Sequence, residues 1–146
     1  MKRRMSLLGS TGSIGQSTLD VIRAHPDRLS VVALAAGRQW ERLVGQTREF
    51  RPRLVAIYDS EAAARFREAM RGTDVAVREG MPGLLEAAAL GDADTLVSAL
   101  VGSIGLRPVM AAIESGKAIC LANKETLVVG GALVTAAARR KGVPLL

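Results

Sequence analysis

Three glycines, Gly9, Gly12 and Gly15, follow a short apolar run from Met5 to Leu8. A helical pattern begins at once behind them. Few arrangements satisfy that order. The apolar run reads as a buried strand. Gly9 permits a sharp turn, Gly12 lets backbone approach a pyrophosphate, and Gly15 lets the helix lie close to the strand. The helix N-terminus then presents free N–H groups and the positive end of its dipole. Thr11 and Ser13 add hydroxyl donors. The spacing is G-x-x-G-x-x-G, so a turn that merely packs a helix is the competing reading. Ile14, Leu19, Val21 and Ile22 are expected to form the helix's buried side.

The rest of the chain repeats the strand–helix theme. Strands are expected at Arg4–Leu8, Leu29–Ala36, Leu54–Tyr58, Asp74–Arg78, Thr95–Leu100, Ala118–Leu121 and Val143–Leu146. Helices are expected at Ser13–Ala24, Trp40–Arg51, Ser60–Arg71, Gly83–Leu90, Leu106–Ser115 and Lys124–Lys141. Pro26, Gly72, Gly116 and Gly142 punctuate the helix ends, and Asp59 or Ser60 can cap the third helix. Aromatic residues make up only 3% of a chain that is 49% hydrophobic. An interior of Ala, Val, Leu and Ile suits parallel strands covered by helices. The fold class expected is α/β: a Rossmann-like, doubly wound, mostly parallel sheet with helices on both faces.

The net charge of +6 suits phosphorylated ligands. The near absence of aromatics argues against a nucleic-acid partner. Arg139-Arg140-Lys141 falls at a helix end, where cations favour the dipole. Cys120 lies mid-strand and reads as a small apolar residue, and no metal-ligating cluster is visible. No signal peptide and no run of eighteen apolar residues appears, so no membrane partner is expected and a soluble, cytoplasmic protein is.

Where a domain that binds NAD would place a carboxylate near the ribose, the chain has Ala36-Gly37-Arg38-Gln39. A guanidinium there can grip a 2′-phosphate, which indicates NADP(H); an ordinary surface arginine is the alternative. At the turn after the sixth strand, Asn123 is a good N-cap and Glu125 an ordinary first-turn residue. Lys124 instead opposes the helix dipole, so an anion nearby would explain it. His25 reads as solvated, and Asp92 and Asp94 as residues bounding a strand. Trp40 can cover an adenine or pack under the second helix, and Ser98 to Gly102 can floor a nicotinamide. The tetrapeptide Gly-Ser-Ile-Gly occurs twice, at Gly12–Gly15 and Gly102–Gly105, either by chance or at comparable turns of two related halves.

Leu8-Gly-Ser-Thr-Gly-Ser-Ile-Gly15, Ser17-Thr-Leu-Asp-Val21, Val31-Val-Ala-Leu34 with Ala36-Gly37, and Leu121-Ala-Asn-Lys-Glu-Thr-Leu-Val128 together resemble 1-deoxy-D-xylulose 5-phosphate reductoisomerase. The resemblance runs the length of the chain, and the Leu-Ala-Asn-Lys-Glu block is its most specific part. It implies an NADPH-binding domain over residues 1–146, with catalytic and helical domains absent from this chain. It implies an enzyme that isomerises and then reduces a phosphorylated sugar with NADPH and a divalent metal, Mg or Mn, for isoprenoid synthesis. A homodimer is implied for the full-length enzyme. By motif, Thr11, Gly12, Ser13 and Ile14 would contact the pyrophosphate, and Gly37, Arg38 and Gln39 the 2′-phosphoadenosine end. Asn123 and Glu125 would belong to the NADPH site, and Lys124 would face the substrate. The family commonly has Asn at the position of Gln39. Its metal-binding Asp-Ser-Glu motif would begin just past Leu146, so these residues are expected to be an N-terminal piece, inactive alone and without metal ligands. A short-chain dehydrogenase would need Tyr with Lys four residues on, but Tyr58 is followed by Ala62. A semialdehyde-type enzyme would need an exposed cysteine. A non-enzymatic NADP(H)-binding module is the remaining alternative.

Overall fold

The computed structural model describes residues 2–122 and 124–146, apart from the side chains of residues 124, 125, 127 and 129. Six strands, β1 (Arg3–Leu8), β2 (Leu29–Ala36), β3 (Leu54–Ile57), β4 (Ala76–Glu79), β5 (Thr95–Ser98) and β6 (Ala118–Leu121), alternate with six helices. The helices are α1 (Ser13–Ala24), α2 (Trp40–Phe50), α3 (Ser60–Ala69), α4 (Gly80–Ala88), α5 (Leu106–Glu114) and α6 (Lys124–Lys141). The sheet order is β4-β3-β2-β1-β5-β6, and every described strand pairing is parallel. The chain steps outward from β1 to β4, then returns to the other side of β1 with β5. The topological switch point therefore lies between β1 and β5, and ligands of such sheets bind at the strands' carboxyl ends there.

Side chains alternate across each strand. Leu8, Leu96 and Ile119 face a layer of Leu84, Val109, Ile113 and Val134 from α4, α5 and α6. Leu7, Leu34 and Ile57 face Leu19, Leu43 and Phe66 from α1, α2 and α3. Ser6, pointing into the first layer, satisfies its hydroxyl by donating to the Ala87 carbonyl at 2.7 Å.

The differences from sequence expectation have local causes. On α1 the buried residues are Gly15, Leu19 and Ile22, while Ile14 and Val21 are exposed. Gly15 occupies the innermost position because the helix touches the turn there, which rotates Ile14 out to the mouth of the turn. Helix α4 begins at Gly80, before Pro82, because a proline in the first turn forfeits no helical hydrogen bond. The Val143–Leu146 segment makes one parallel bridge, Leu145 to Ile119, rather than a full strand. Arg140 and Lys141 pair with Glu114, tying the end of α6 to α5.

Asp59 is the N-cap of α3, its carboxylate accepting from the Ala62 N–H at 2.9 Å. Asp59→Ala should lower stability by about 1 kcal/mol, a typical loss for such a cap, while Ser60→Ala should cost little. Urea midpoints of the two variants check this.

Candidate dinucleotide-binding site

The three glycines of the first turn do different work. Gly9 has φ +85°, and a Cβ built on it would lie 2.5 Å from the Ala99 carbonyl oxygen. A Cβ on Gly15 would lie 2.1 Å from the Gly9 carbonyl oxygen and 2.6 Å from Ser10 Cα. The fold requires both. Gly12 has φ −80°, and the nearest atom to its built Cβ is the Gly9 oxygen at 3.8 Å. Nothing within the protein asks for glycine there, and the position is exposed.

Gly12 is also the N-cap of α1, without a side chain to cap it, and the first turn carries no acidic residue. Gln16 N–H is the first helical donor with a partner, the Gly12 carbonyl at 2.9 Å. The N–H groups of Ser13, Ile14 and Gly15 are left without one among the described residues. The turn thus ends in free donors at the positive end of a twelve-residue helix.

At the carboxyl end of β2, Gly37 has no heavy atom within 4 Å of a built Cβ. Arg38 and Gln39 are exposed, and Gln39 is the N-cap of α2 without a side-chain bond. The Arg38 guanidinium has no partner among the described residues. The ends of β1 and β2 are held together, since the N–H groups of Gly9 and Ser10 both donate to the Ala35 carbonyl, at 2.8 and 3.0 Å. Gly12, Gly37 and Arg38 therefore follow the carboxyl ends of two neighbouring strands.

Sequence reasoning missed the residues that brace this turn. Gln16 Nε2 donates to the Thr11 carbonyl at 3.1 Å, Arg42 Nη1 to the same oxygen at 3.1 Å, and Gln46 Nε2 to the Ser10 carbonyl at 2.9 Å. A usable signal was present: Arg38, Arg42 and Gln46 recur every four residues, which places Arg42 and Gln46 on one face of α2.

On the other side of the switch point, Ser98 is buried at the end of β5, Val101 is 83% exposed, and Gly102 has φ +77°. The second Gly-Ser-Ile-Gly begins here, with Ser103–Gly105 forming a 3₁₀ turn into α5. Both copies thus follow the two strands that meet at the switch point. Lys124 opens α6 at this same end of the sheet. Asn123, and the side chains of Lys124 and Glu125, lie outside the described residues.

Several candidates sit elsewhere. His25 is the C-cap of α1, away from the turn. Asp94 accepts from the Arg4 N–H at 3.0 Å, and Asp92 pairs with Arg53, so both bound β5 as expected. Trp40 is half-buried and packs into the α1–α3 layer. Cys120 is half-buried in β6, where burial pushes its thiol pKa up and away from reactivity. Lys117 is buried and donates to the Ala93 carbonyl at 2.6 Å, and desolvation lowers its pKa. A groove of about 890 Å³ is lined by Arg48, Arg51 and Asp74 at the amino ends of β3 and β4, away from the glycine turn.

Comparison with known proteins agrees with this geometry. The family model described as 1-deoxy-D-xylulose 5-phosphate reductoisomerase matches residues 5–131. The enzyme of that name from Heliobacterium modesticaldum is 54% identical over 148 residues, covering 100% of this chain and 38% of its own length. A crystal structure of DOX-P reductoisomerase in complex with magnesium superposes with TM-score 0.96 at 37% identity, over 100% of this chain and 37% of its own. The Zymomonas mobilis enzyme in complex with NADPH superposes with TM-score 0.94 at 40% identity, over 100% and 38%. This chain therefore spans a little over a third of the relatives it matches. With its β-strand order, its glycine turn and its Leu-Ala-Asn-Lys-Glu block all matched, the chain belongs to the 1-deoxy-D-xylulose 5-phosphate reductoisomerase family.

Proposed function

We propose that residues 1–146 are the NADPH-binding domain of an enzyme that converts 1-deoxy-D-xylulose 5-phosphate to 2-C-methyl-D-erythritol 4-phosphate in isoprenoid synthesis. The observation that carries the reading is the pair Gly12 and Gly37. Both follow the carboxyl ends of neighbouring strands, neither is required by internal packing, and between them lie free helix N–H groups and an unpartnered Arg38. A dinucleotide pyrophosphate fits the first turn, with Thr11, Gly12, Ser13 and Ile14 around it. A 2′-phosphate fits the Gly37-Arg38-Gln39 end. We place Asn123 and Glu125 with the nicotinamide half, and Lys124 toward the phosphosugar.

Bound NADPH supplies the hydride that reduces the aldehyde formed by isomerisation. The residues of this chain bind and orient: helix α1 offers donors to the pyrophosphate, and Arg38 selects the phosphorylated ribose. The family's Mg or Mn finds no cluster of three His, Cys, Asp or Glu side chains among the described residues. No helix among the described residues is long and apolar enough to cross a membrane. The proposal includes a cytoplasmic enzyme that works as a homodimer.

The chain should bind NADPH more tightly than NADH. One charge-assisted contact is worth about 1.5–3 kcal/mol, roughly tenfold to a hundredfold in affinity. Arg38→Ala should narrow the gap and leave NADH binding unchanged. Titration of both cofactors into wild type and variant is the test, and equal wild-type affinities overturn the reading.

A further inference from the structure

We infer that Arg42 is a second arginine of the 2′-phosphate subsite, acting with Arg38 to select the phosphorylated cofactor. The inference rests on the NADPH reading above and adds to it a residue on the far side of the ribose. Arg42 lies in the first turn of α2, four residues after Arg38. Its Nη1 is anchored on the Thr11 carbonyl at 3.1 Å, the residue before Gly12. The guanidinium is thereby fixed between the end of β2 and the glycine turn, where an adenosine ribose must pass to reach both.

A bracing role alone does not account for the charge. The Thr11 carbonyl already accepts from Gln16 Nε2 at 3.1 Å, and the neighbouring Ser10 carbonyl accepts from Gln46 Nε2 at 2.9 Å. Two neutral amides hold the turn. Arg42 adds a second contact to the Thr11 oxygen, and places a full positive charge there. A guanidinium carries five N–H donors, and Arg42 uses one nitrogen on the turn. Its other donors have no partner among the described residues, although Arg23, Arg53, Arg67, Arg78 and Arg140 all pair with carboxylates on the same molecule. A cation in the first turn of a helix also opposes the dipole. Arg38 and Arg42, both unpaired by carboxylates among the described residues and four residues apart at the start of α2, supply a fork suited to a dianionic phosphate monoester.

The test uses the 146-residue chain, NADPH, NADH and adenosine 2′,5′-bisphosphate as the probe for the 2′-phosphate alone. Arg42→Gln keeps a polar amide at this position but removes the charge. It should weaken NADPH and the bisphosphate about tenfold, leave NADH unchanged, and leave the melting temperature unchanged. Arg42→Lys should recover part of the loss, and it carries the same test if the glutamine variant melts early. Equal losses for NADPH and NADH, or no loss for either, overturn the assignment of Arg42 while a wild-type preference for NADPH keeps the broader reading intact. A wild-type chain without that preference overturns both.

Discussion

Gly15→Ala should strongly destabilise the chain, whereas Gly12→Ala should leave it stable and unable to bind NADPH. The two substitutions add the same methyl group three residues apart. At Gly15 the new Cβ meets the Gly9 carbonyl oxygen at 2.1 Å, Ser10 Cα at 2.6 Å and Ser10 C at 2.7 Å. All three are backbone atoms of the turn itself, so no side chain can swing away. Either α1 retreats from the sheet or the turn moves. Retreat would pull Leu19 and Ile22 out of the layer formed with Leu7 and Leu34. Overpacking of a well-filled site commonly costs about 1–3 kcal/mol. With backbone on both sides, about 3 kcal/mol or more is expected, a large share of the roughly 5–15 kcal/mol that holds a domain together. Gly12 has φ −80°, which alanine adopts freely, and 3.8 Å to its nearest internal neighbour. On the proposed reading, the methyl there projects into the space that a pyrophosphate would take. Melting curves and NADPH titrations of both variants decide it. If Gly15→Ala melts like wild type, the close approach of helix and turn does not constrain this fold. If Gly12→Ala binds NADPH normally, the glycine turn is not where the cofactor lies.

The same contrast shows what could be read from the amino-acid sequence. Element types followed from periodicity and punctuation, because parallel strands buried on both faces leave apolar runs and several helix ends leave a glycine, a proline or an Asx cap. Gly9 and Gly15 were assigned correctly because a strand–turn–helix junction has only one way to be tight. The orientation of α1 was not legible in full: Ile14 and Val21 look like core residues until Gly15 is known to touch the turn. Lys117 looks like a surface lysine following a helix-ending glycine, and its burial depends on the Ala93 carbonyl twenty-four residues away. Arg42, Gln46 and Gln16 lay in plain sight as ordinary helical polar residues. Their role depends on how far α2 stands from the β1 turn, which no local pattern encodes. The proposed role of Arg38 comes from its distance after the glycines. The roles of Asn123, Lys124 and Glu125 came from the family's motif, apart from the dipole mismatch at Lys124.

That mismatch supports the second large effect. Lys124→Ala should cut turnover of 1-deoxy-D-xylulose 5-phosphate by about 10²–10³ in a chain that carries the rest of the family's length, the loss typical of one group stabilising charge in the transition state. Lys124 is the first residue of α6, at the carboxyl end of β6 and on the same edge of the sheet as the glycine turn. A cation at a helix N-terminus costs about 0.3–1 kcal/mol against the dipole, so its removal should leave stability unchanged or slightly raised. NADPH affinity should hold, because the proposed function assigns phosphate recognition to the Thr11–Ile14 turn and to Arg38. In the proposed reaction, rearrangement of the phosphosugar and arrival of the hydride both place negative charge on substrate oxygens, and an ammonium beside them would lower that barrier. Lys124→Arg should rescue little, since a planar fork does not reproduce a compact point charge. Three measurements bear on it together: melting temperature, NADPH affinity and turnover. Unchanged turnover, or a loss that only tracks unfolding or lost cofactor, would show that Lys124 is an ordinary solvated lysine that its helix tolerates.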